Sequence, residues 1–213
     1  GRGRGNFAPR FIPRLKEKEL PKPKEDEHSL LEPIALETPA EDEPNDGAEL
    51  MDLYTKDGRP VGRVIRRGDD KGGLYTLGVH AYIYDSQGRF LLQKRAQDKK
   101  FLPGGWEITM GHALAGELPI QCVQREIKEE LGIELPMEEF VKVYRWVEKD
   151  CGMHTDVFFV RADLDIDSLT LQEAELTQVK WETKDEMLRF VRSRDYRPES
   201  YKQVVGDYIK DCV

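Results

Sequence analysis

A chain of 213 residues, 35% of them charged and 38% hydrophobic, is long enough for one domain of ordinary size plus an extension. No apolar run reaches the roughly 18 residues of a membrane span, no apolar leader segment follows the N-terminus, and a net charge of −8 argues against broad nucleic-acid affinity. Cys122, Cys151 and Cys212 show no paired metal-ligand spacing and read as reduced thiols, so a cytoplasmic location is expected.

In chain order, residues 1–48 stand apart. They hold seven of the twelve prolines, and Phe7 and Phe11 are their only aromatics. Residues 1–23 carry seven Lys/Arg against two acids, and 24–48 carry one Lys against nine acids. So little apolar surface does not offset the entropy of ordering, and a disordered extension is predicted, with residues 6–15 as a docking segment for a partner. The folded domain is predicted over 49–213. It opens with strands over 49–55 and 61–66, joined by a turn at Lys56-Asp57-Gly58-Arg59. Strands over 75–84 and 90–94 flank the turn Ser86-Gln87-Gly88, and a short strand follows over 107–110. A helix is expected over 118–131, a hairpin over 140–147 and 155–161, and a strand over 179–182. Closing helices over 185–193 and 200–211 turn Leu188, Val191, Val204 and Tyr208 inward. Strands before and after one helix, then terminal helices, predict a mixed sheet packed between helices.

The central helix carries the chemistry. Pro119 suits its first turn and Gly132 the position after its end, while Ile120, Val123, Ile127 and Leu131 make one buried stripe. Glu126, Glu129 and Glu130 fall together on an adjacent face, by their spacing of three and four. Crowded carboxylates repel unless a cation neutralises them, and hard oxygen donors suit Mg²⁺. Arg125, four residues before Glu129, is placed to orient it. An isolated acidic helix face is usually just solvated, but these residues lie in a longer pattern. Gly111, Glu117, Arg125, Glu126, Glu129, Glu130 and Gly132 match G-x5-E-x7-R-E-(aliphatic)-x-E-E-x-G-(aliphatic) throughout. At about one in ten per fixed position, the chance of a random match is on the order of 10⁻⁶.

That pattern resembles the signature of the Nudix hydrolase family. The resemblance implies the Nudix fold, an α/β/α sandwich with a mixed central sheet, and hydrolysis of a diphosphate bond in a nucleoside diphosphate derivative or related small organic diphosphate. It adds the Gly111 carbonyl to Glu126, Glu129 and Glu130 as ligands of Mg²⁺ or Mn²⁺. Glu129 is then the first candidate for the general base and Glu175, on a late loop, the second, with Glu117 bracing the loop at the helix start. The run from Leu91 to Trp106 resembles the subgroup similar to isopentenyl-diphosphate isomerase, which implies substrate-phosphate contacts for Arg95 and Lys99. Trp106, Tyr144 and Trp146 are candidates for stacking on a base or prenyl group, and His112 for binding metal. The partner is a small-molecule diphosphate, with room for a homodimer. Isomerase activity is the alternative, as is a non-catalytic diphosphate-binding module. The isomerase uses a Cys that the stretch Trp106–His112 lacks, and Cys122 and Cys151 are expected to lie too far away to replace it.

Overall fold

The computed structural model describes residues 49–213. The expected extension and its docking segment at 6–15 lie outside these residues. Two strands, β1 (Leu50–Tyr54) and β2 (Pro60–Arg66), form an antiparallel hairpin of their own. The Tyr54 and Tyr75 backbones exchange hydrogen bonds of 2.7 and 2.8 Å, linking this hairpin to the main sheet.

The main sheet is built on β3 (Thr76–Tyr84) and β4 (Phe90–Arg95), with β5 (Trp106–Glu107), β6 (Thr109–His112), β7 (Phe140–Glu148), β8 (Met153–Arg161) and β9 (Leu176–Glu182) around them. The path runs β5-β4-β3-β8-β7, with β6 on β3 and β9 on β4. β3 and β8 are parallel while the other pairings are antiparallel, so the sheet is mixed.

Period-two alternation decides what each face packs against. Leu77, Val79, Ala81 and Ile83 of β3, with Phe158 and Val160 of β8, meet Cys122, Val123, Ile127 and Leu131 of α1 (Pro119–Leu131). Tyr82, Phe90, Leu92, Val157 and Phe159 face α2 (Lys184–Arg192) and α3 (Glu199–Cys212). Helix, sheet and helices form the expected α/β/α sandwich. The buried stripes differ in detail from the expected ones: α2 buries Met187, Phe190 and Val191, and α3 buries Tyr201, Val205 and Ile209. Leu188, Val204 and Tyr208 sit half-buried at the edges of those stripes.

α1 starts and stops where its sequence dictates. Pro119 occupies the first helical position, and the Gln121 side chain accepts a 2.8 Å bond from the Leu118 amide. Gly132 ends the helix at φ 72°, a left-handed conformation that glycine adopts without strain, and donates to the Lys128 carbonyl. Among the described residues no helix is long and apolar enough to cross a membrane.

Candidate active site

A cavity of about 430 Å³ opens where α1, β3, β6 and the loops after β4 and β8 meet. Of the catalytic, metal-binding and phosphate-binding residues expected from the sequence it gathers Gly111, Glu126, Glu129, Glu130 and Glu175, with Arg95 and Lys99, but not Arg125. Arg125 stands behind the acids and braces them.

Its guanidinium is the hub of the helix. Nε and Nη2 donate to the two Glu117 oxygens at 2.7 and 2.9 Å, Nη2 also reaches the His112 carbonyl at 3.0 Å, and Nη1 bridges Glu126 at 3.0 Å and Glu129 at 3.1 Å. The expected contact to Glu129 is therefore one of five to oxygen. The two-pronged grip on Glu117 is the strongest of them by geometry. Glu117 braces the loop, as expected, through this grip and by accepting from the Leu114 amide at 3.1 Å. Burial raises the Glu117 pKa, but the Arg125 bonds and that amide outweigh it and hold the carboxyl below its ordinary value.

The three helix acids differ sharply in environment. Glu130 is only 6% exposed, whereas the Glu129 side chain is 49% exposed at the cavity rim. Burial, with Glu126 and Glu175 nearby, pushes Glu130 up to about 8 against a 2.7 Å bond from Gln93 that favours its charge. Burial raises Glu126 to about 7, with Glu129 adding to the shift and Arg125 opposing it. Gln93 is itself fixed by a 3.1 Å bond from the Thr109 hydroxyl. A polar side chain in the apolar run of β4 was the sequence signal for this residue.

Gly111 abuts Glu126 so closely that a Cβ there would lie 2.3 Å from the Glu126 Cγ. Only glycine leaves this backbone and this carboxylate side by side. The buried Glu130 and half-buried Glu126, whose ionisation is disfavoured, beside a bare backbone position, make an all-oxygen donor set that fits a hard divalent cation. Among the described residues no three acid, His or Cys side chains stand close enough together to hold a metal ion as they are. Arg125 Nη1 lies between Glu126 and Glu129, within 3.0 and 3.1 Å of them.

The remaining residues sort as follows. Arg95 lines the cavity, its Nε fixed at 2.7 Å on the Phe101 carbonyl and its guanidinium 5.5 Å from the Phe101 ring centre. Lys99 and Glu175 bond each other at 2.5 Å, so two residues expected to act separately form one ion pair. His112 lines the cavity too, and burial, with Arg67 and Lys71 nearby, lowers its pKa to about 4. Of the three aromatics, only Trp146 lines the cavity. The Trp106 ring lies under Lys180, 4.3 Å from Nζ, and the Tyr144 hydroxyl bonds Ser200 at 3.2 Å. Cys151 departs from expectation, because the tight turn joining β7 to β8 brings it into the cavity wall. Its thiol is pushed up to about 11, by burial first and then by Glu148, and stays protonated at neutral pH. Cys122 is buried in the core.

The fold is thus an α/β/α sandwich with carboxylates of one helix facing a cavity. The NUDIX domain model matches residues 74–203. The chain is 32% identical to Nudix hydrolase 3 of Arabidopsis thaliana over 176 residues, covering 76% of this chain and 22% of that protein. It is 30% identical to the Nudix hydrolase lmo0368 of Listeria monocytogenes over 152 residues, covering 70% of this chain and 89% of the relative. The crystal structure of DR0079 from Deinococcus radiodurans superposes with a TM-score of 0.58 at 19% identity, over 77% of this chain and 99% of that one, a likeness of fold. The chain belongs to the Nudix hydrolase family.

Proposed function

We propose that the protein is a metal-dependent hydrolase of a small organic diphosphate, of the nucleoside diphosphate derivative class, with Mg²⁺ or Mn²⁺ held by Glu126, Glu129, Glu130 and the Gly111 carbonyl. The observation that carries this reading is the pairing of Glu126 and Glu130, two carboxylates raised by burial, in one cavity with Arg95 and Lys99. A divalent cation bound there neutralises diphosphate charge and acidifies water.

The chain's own residues do the rest. Arg125 holds Glu126 and Glu129 in register and stops them moving apart when the charge on the site changes. Arg95 keeps its η nitrogens for a phosphate oxygen, since only its Nε is bound to the protein among the described residues. Lys99 brings positive charge to the same side, with Glu175 fixing its position. Water attacks phosphorus, forming one P–O bond as the anhydride P–O bond breaks, and its proton passes to a carboxylate. Glu129 suits that role better than Glu175: its side chain is 49% exposed at the rim against 33% for Glu175, and its bond from Arg125, at 3.1 Å, is longer than the 2.5 Å bond from Lys99 to Glu175.

Similarity to the isomerase-like subgroup, through Leu91–Trp106, supports a diphosphate ligand. A cytoplasmic location and a role for residues 1–48 separate from catalysis belong to the same reading. The experiment is Glu129→Gln, which preserves shape and removes the proton acceptor. Turnover is expected to fall by two orders of magnitude or more with the melting temperature kept. Near-wild-type turnover moves the base to Glu175.

A further inference from the structure

The cavity that holds the helix acids also holds a buried cation that the diphosphate chemistry does not use. Arg197, just ahead of α3, lines it with a side chain only 1% exposed. Its Nη2 donates to Glu107 Oε1 at 2.9 Å and lies 3.6 Å from the Met110 sulfur. Its Nε and Nη1 are buried and have no hydrogen-bond acceptor among the described residues. The ring centres of Tyr196 and Tyr201 stand 5.1 and 5.3 Å from the guanidinium carbon, contacts that draw on its charge and leave those N–H groups open.

Arginine keeps its proton in proteins, so these donors stay charged and lack an oxygen. Glu107 offers them none. It is fully buried, its Oε1 takes the Ile108 amide at 3.0 Å as well as Nη2, and its Oε2 takes the Tyr196 hydroxyl. The positive field reaches His80, which lines the same cavity: burial first, then the Arg197 cation and His112, hold its imidazole well below the ordinary pKa. His80 is fixed there by the Tyr201 hydroxyl, 2.8 Å from its Nδ1, and that hydroxyl lies 2.8 Å from the hydroxyl of Tyr82. The helix acids answer to other cations, Glu126 to Arg125 and Glu130 to Arg95.

We propose that Arg197 forms a second anion subsite of this cavity, apart from the Glu126–Glu130 end, that takes a carboxylate monoanion on the open donors of its guanidinium. The acid group is either carried on the far end of the substrate or belongs to a free small acid bound beside it. Only the first of these sources rests on the hydrolase reading.

Three features select a carboxylate. A buried guanidinium with open N–H groups calls for an acceptor, and a charged acceptor gains more from it than a neutral carbonyl. The flat, two-oxygen edge of a carboxylate matches the guanidinium plane, and a cation only 1% exposed admits a thin group better than a bulky one. A phosphate monoester is tetrahedral and carries ~1.5–2 charges at neutral pH, too many for one cation that already faces Glu107. Phe101, Trp146 and Tyr196 line the cavity too, and offer apolar surface for the body of such an acid.

The test is calorimetric titration of the full chain in EDTA, where no carboxylate binds through a metal ion, with benzoate, benzamide and phenyl phosphate. Benzoate is expected to bind about tenfold or more tightly than benzamide, the margin that a hydrogen bond between charged groups provides. Arg197→Met combined with Glu107→Gln removes both buried charges, so that neither is left unpaired. With a melt showing this variant folded, benzoate is expected to lose about tenfold in affinity, and benzamide and phenyl phosphate less than about twofold. Arg95→Gln alone leaves benzoate affinity within about twofold, and with the benzamide contrast it keeps the test decisive where the double variant does not fold. The proposal is overturned if benzamide matches benzoate, if benzoate gives no saturable heat, or if Arg95→Gln abolishes its binding. It is equally overturned if the folded double variant binds benzoate as before or loses phenyl phosphate to the same extent.

Two further arms separate the sources. Benzoate is expected to bind still with Mg²⁺ and methylenediphosphonate saturating, and mutual exclusion would overturn a separate subsite. Methylenediphosphonate monoesters of hydroxy acids of increasing chain length are then compared with their amides. A gain of about tenfold for the acid at one length puts the carboxylate on the substrate. No gain at any length, with benzoate still bound, assigns the subsite to a free acid. Failure of the hydrolase reading looks different: methylenediphosphonate then binds equally well with EDTA and with Mg²⁺, and the benzoate results stand.

Discussion

Adding one methyl group to the site, as Gly111→Ala, perturbs it at a point where the structure gives the consequence. The new Cβ would lie 2.3 Å from Glu126 Cγ, 2.4 Å from its Cδ and 2.6 Å from Oε1. Ordinary contact begins at 3.4 Å, so the Glu126 side chain has to retreat by about 1.1 Å. It cannot swing freely, because Arg125 Nη1 holds its Oε1 at 3.0 Å. A misplacement of about 1 Å in a catalytic group costs on the order of 100-fold in rate. That is about 2.7 kcal/mol in the barrier. Overpacking a filled site costs roughly 1–3 kcal/mol of stability, a tolerable loss for a domain with two cores. The expected result is a folded variant with kcat lowered about 100-fold and a weaker response to Mg²⁺. Phosphate release across a Mg²⁺ titration, with a thermal melt of the same sample, measures both. Wild-type turnover with an unchanged Mg²⁺ midpoint would refute the claim that Glu126 works from beside the Gly111 backbone.

The other predictions rest on charge and on chain boundaries. The folded pKa values of Glu126 and Glu130, about 7 and about 8, lie above the 4.5 of an ordinary Glu, so between those limits the folded state binds more protons than the unfolded one. Their contribution is therefore fully present below pH 4.5 and is lost as pH rises through 7 to 8. In EDTA the stability should fall from pH 5 to pH 8 by an amount on the order of a few kcal/mol, read as a lower melting temperature, and Mg²⁺ should restore it most at pH 8; a flat profile would contradict the burial argument. Deleting residues 1–48 should leave melting temperature and turnover nearly unchanged, because among the described residues both core clusters are built from positions between Tyr54 and Val213. A large drop in melting temperature on truncation would show that Phe7, Phe11 or Leu30-Leu31 packs on the domain.

Local rules carried much of the fold. Helix α1 was legible from Pro119, Gly132 and its apolar stripe, because each acts within a turn or two of its own position. β9 begins at Leu176, earlier than expected, since pairing with β4 extends it through Thr177 and Gln178. The single strand expected over 107–110 is two, because β5 follows β4 while β6 crosses to β3. In the site, the helix acids were visible as a local spacing, and so was the Arg125–Glu129 contact. The stronger Arg125–Glu117 grip was not, since it joins a helix to the loop before it. His80–Tyr201 and Arg197–Glu107 are separated by 121 and 90 residues, and nothing in either neighbourhood points to the other. Cys151 joined the cavity for the same reason: the tertiary path of a hairpin, not its composition, put it there.

The central claim is that water attacks phosphorus at the Glu126–Glu130 end of the cavity. Single-turnover hydrolysis of a susceptible diphosphate in H₂¹⁸O with Mg²⁺, read by mass spectrometry, tests it most directly. The account predicts one ¹⁸O in a phosphate-containing product and none in the other fragment's non-phosphate atoms. Label in a non-phosphate product would mean attack at carbon and would contradict the mechanism.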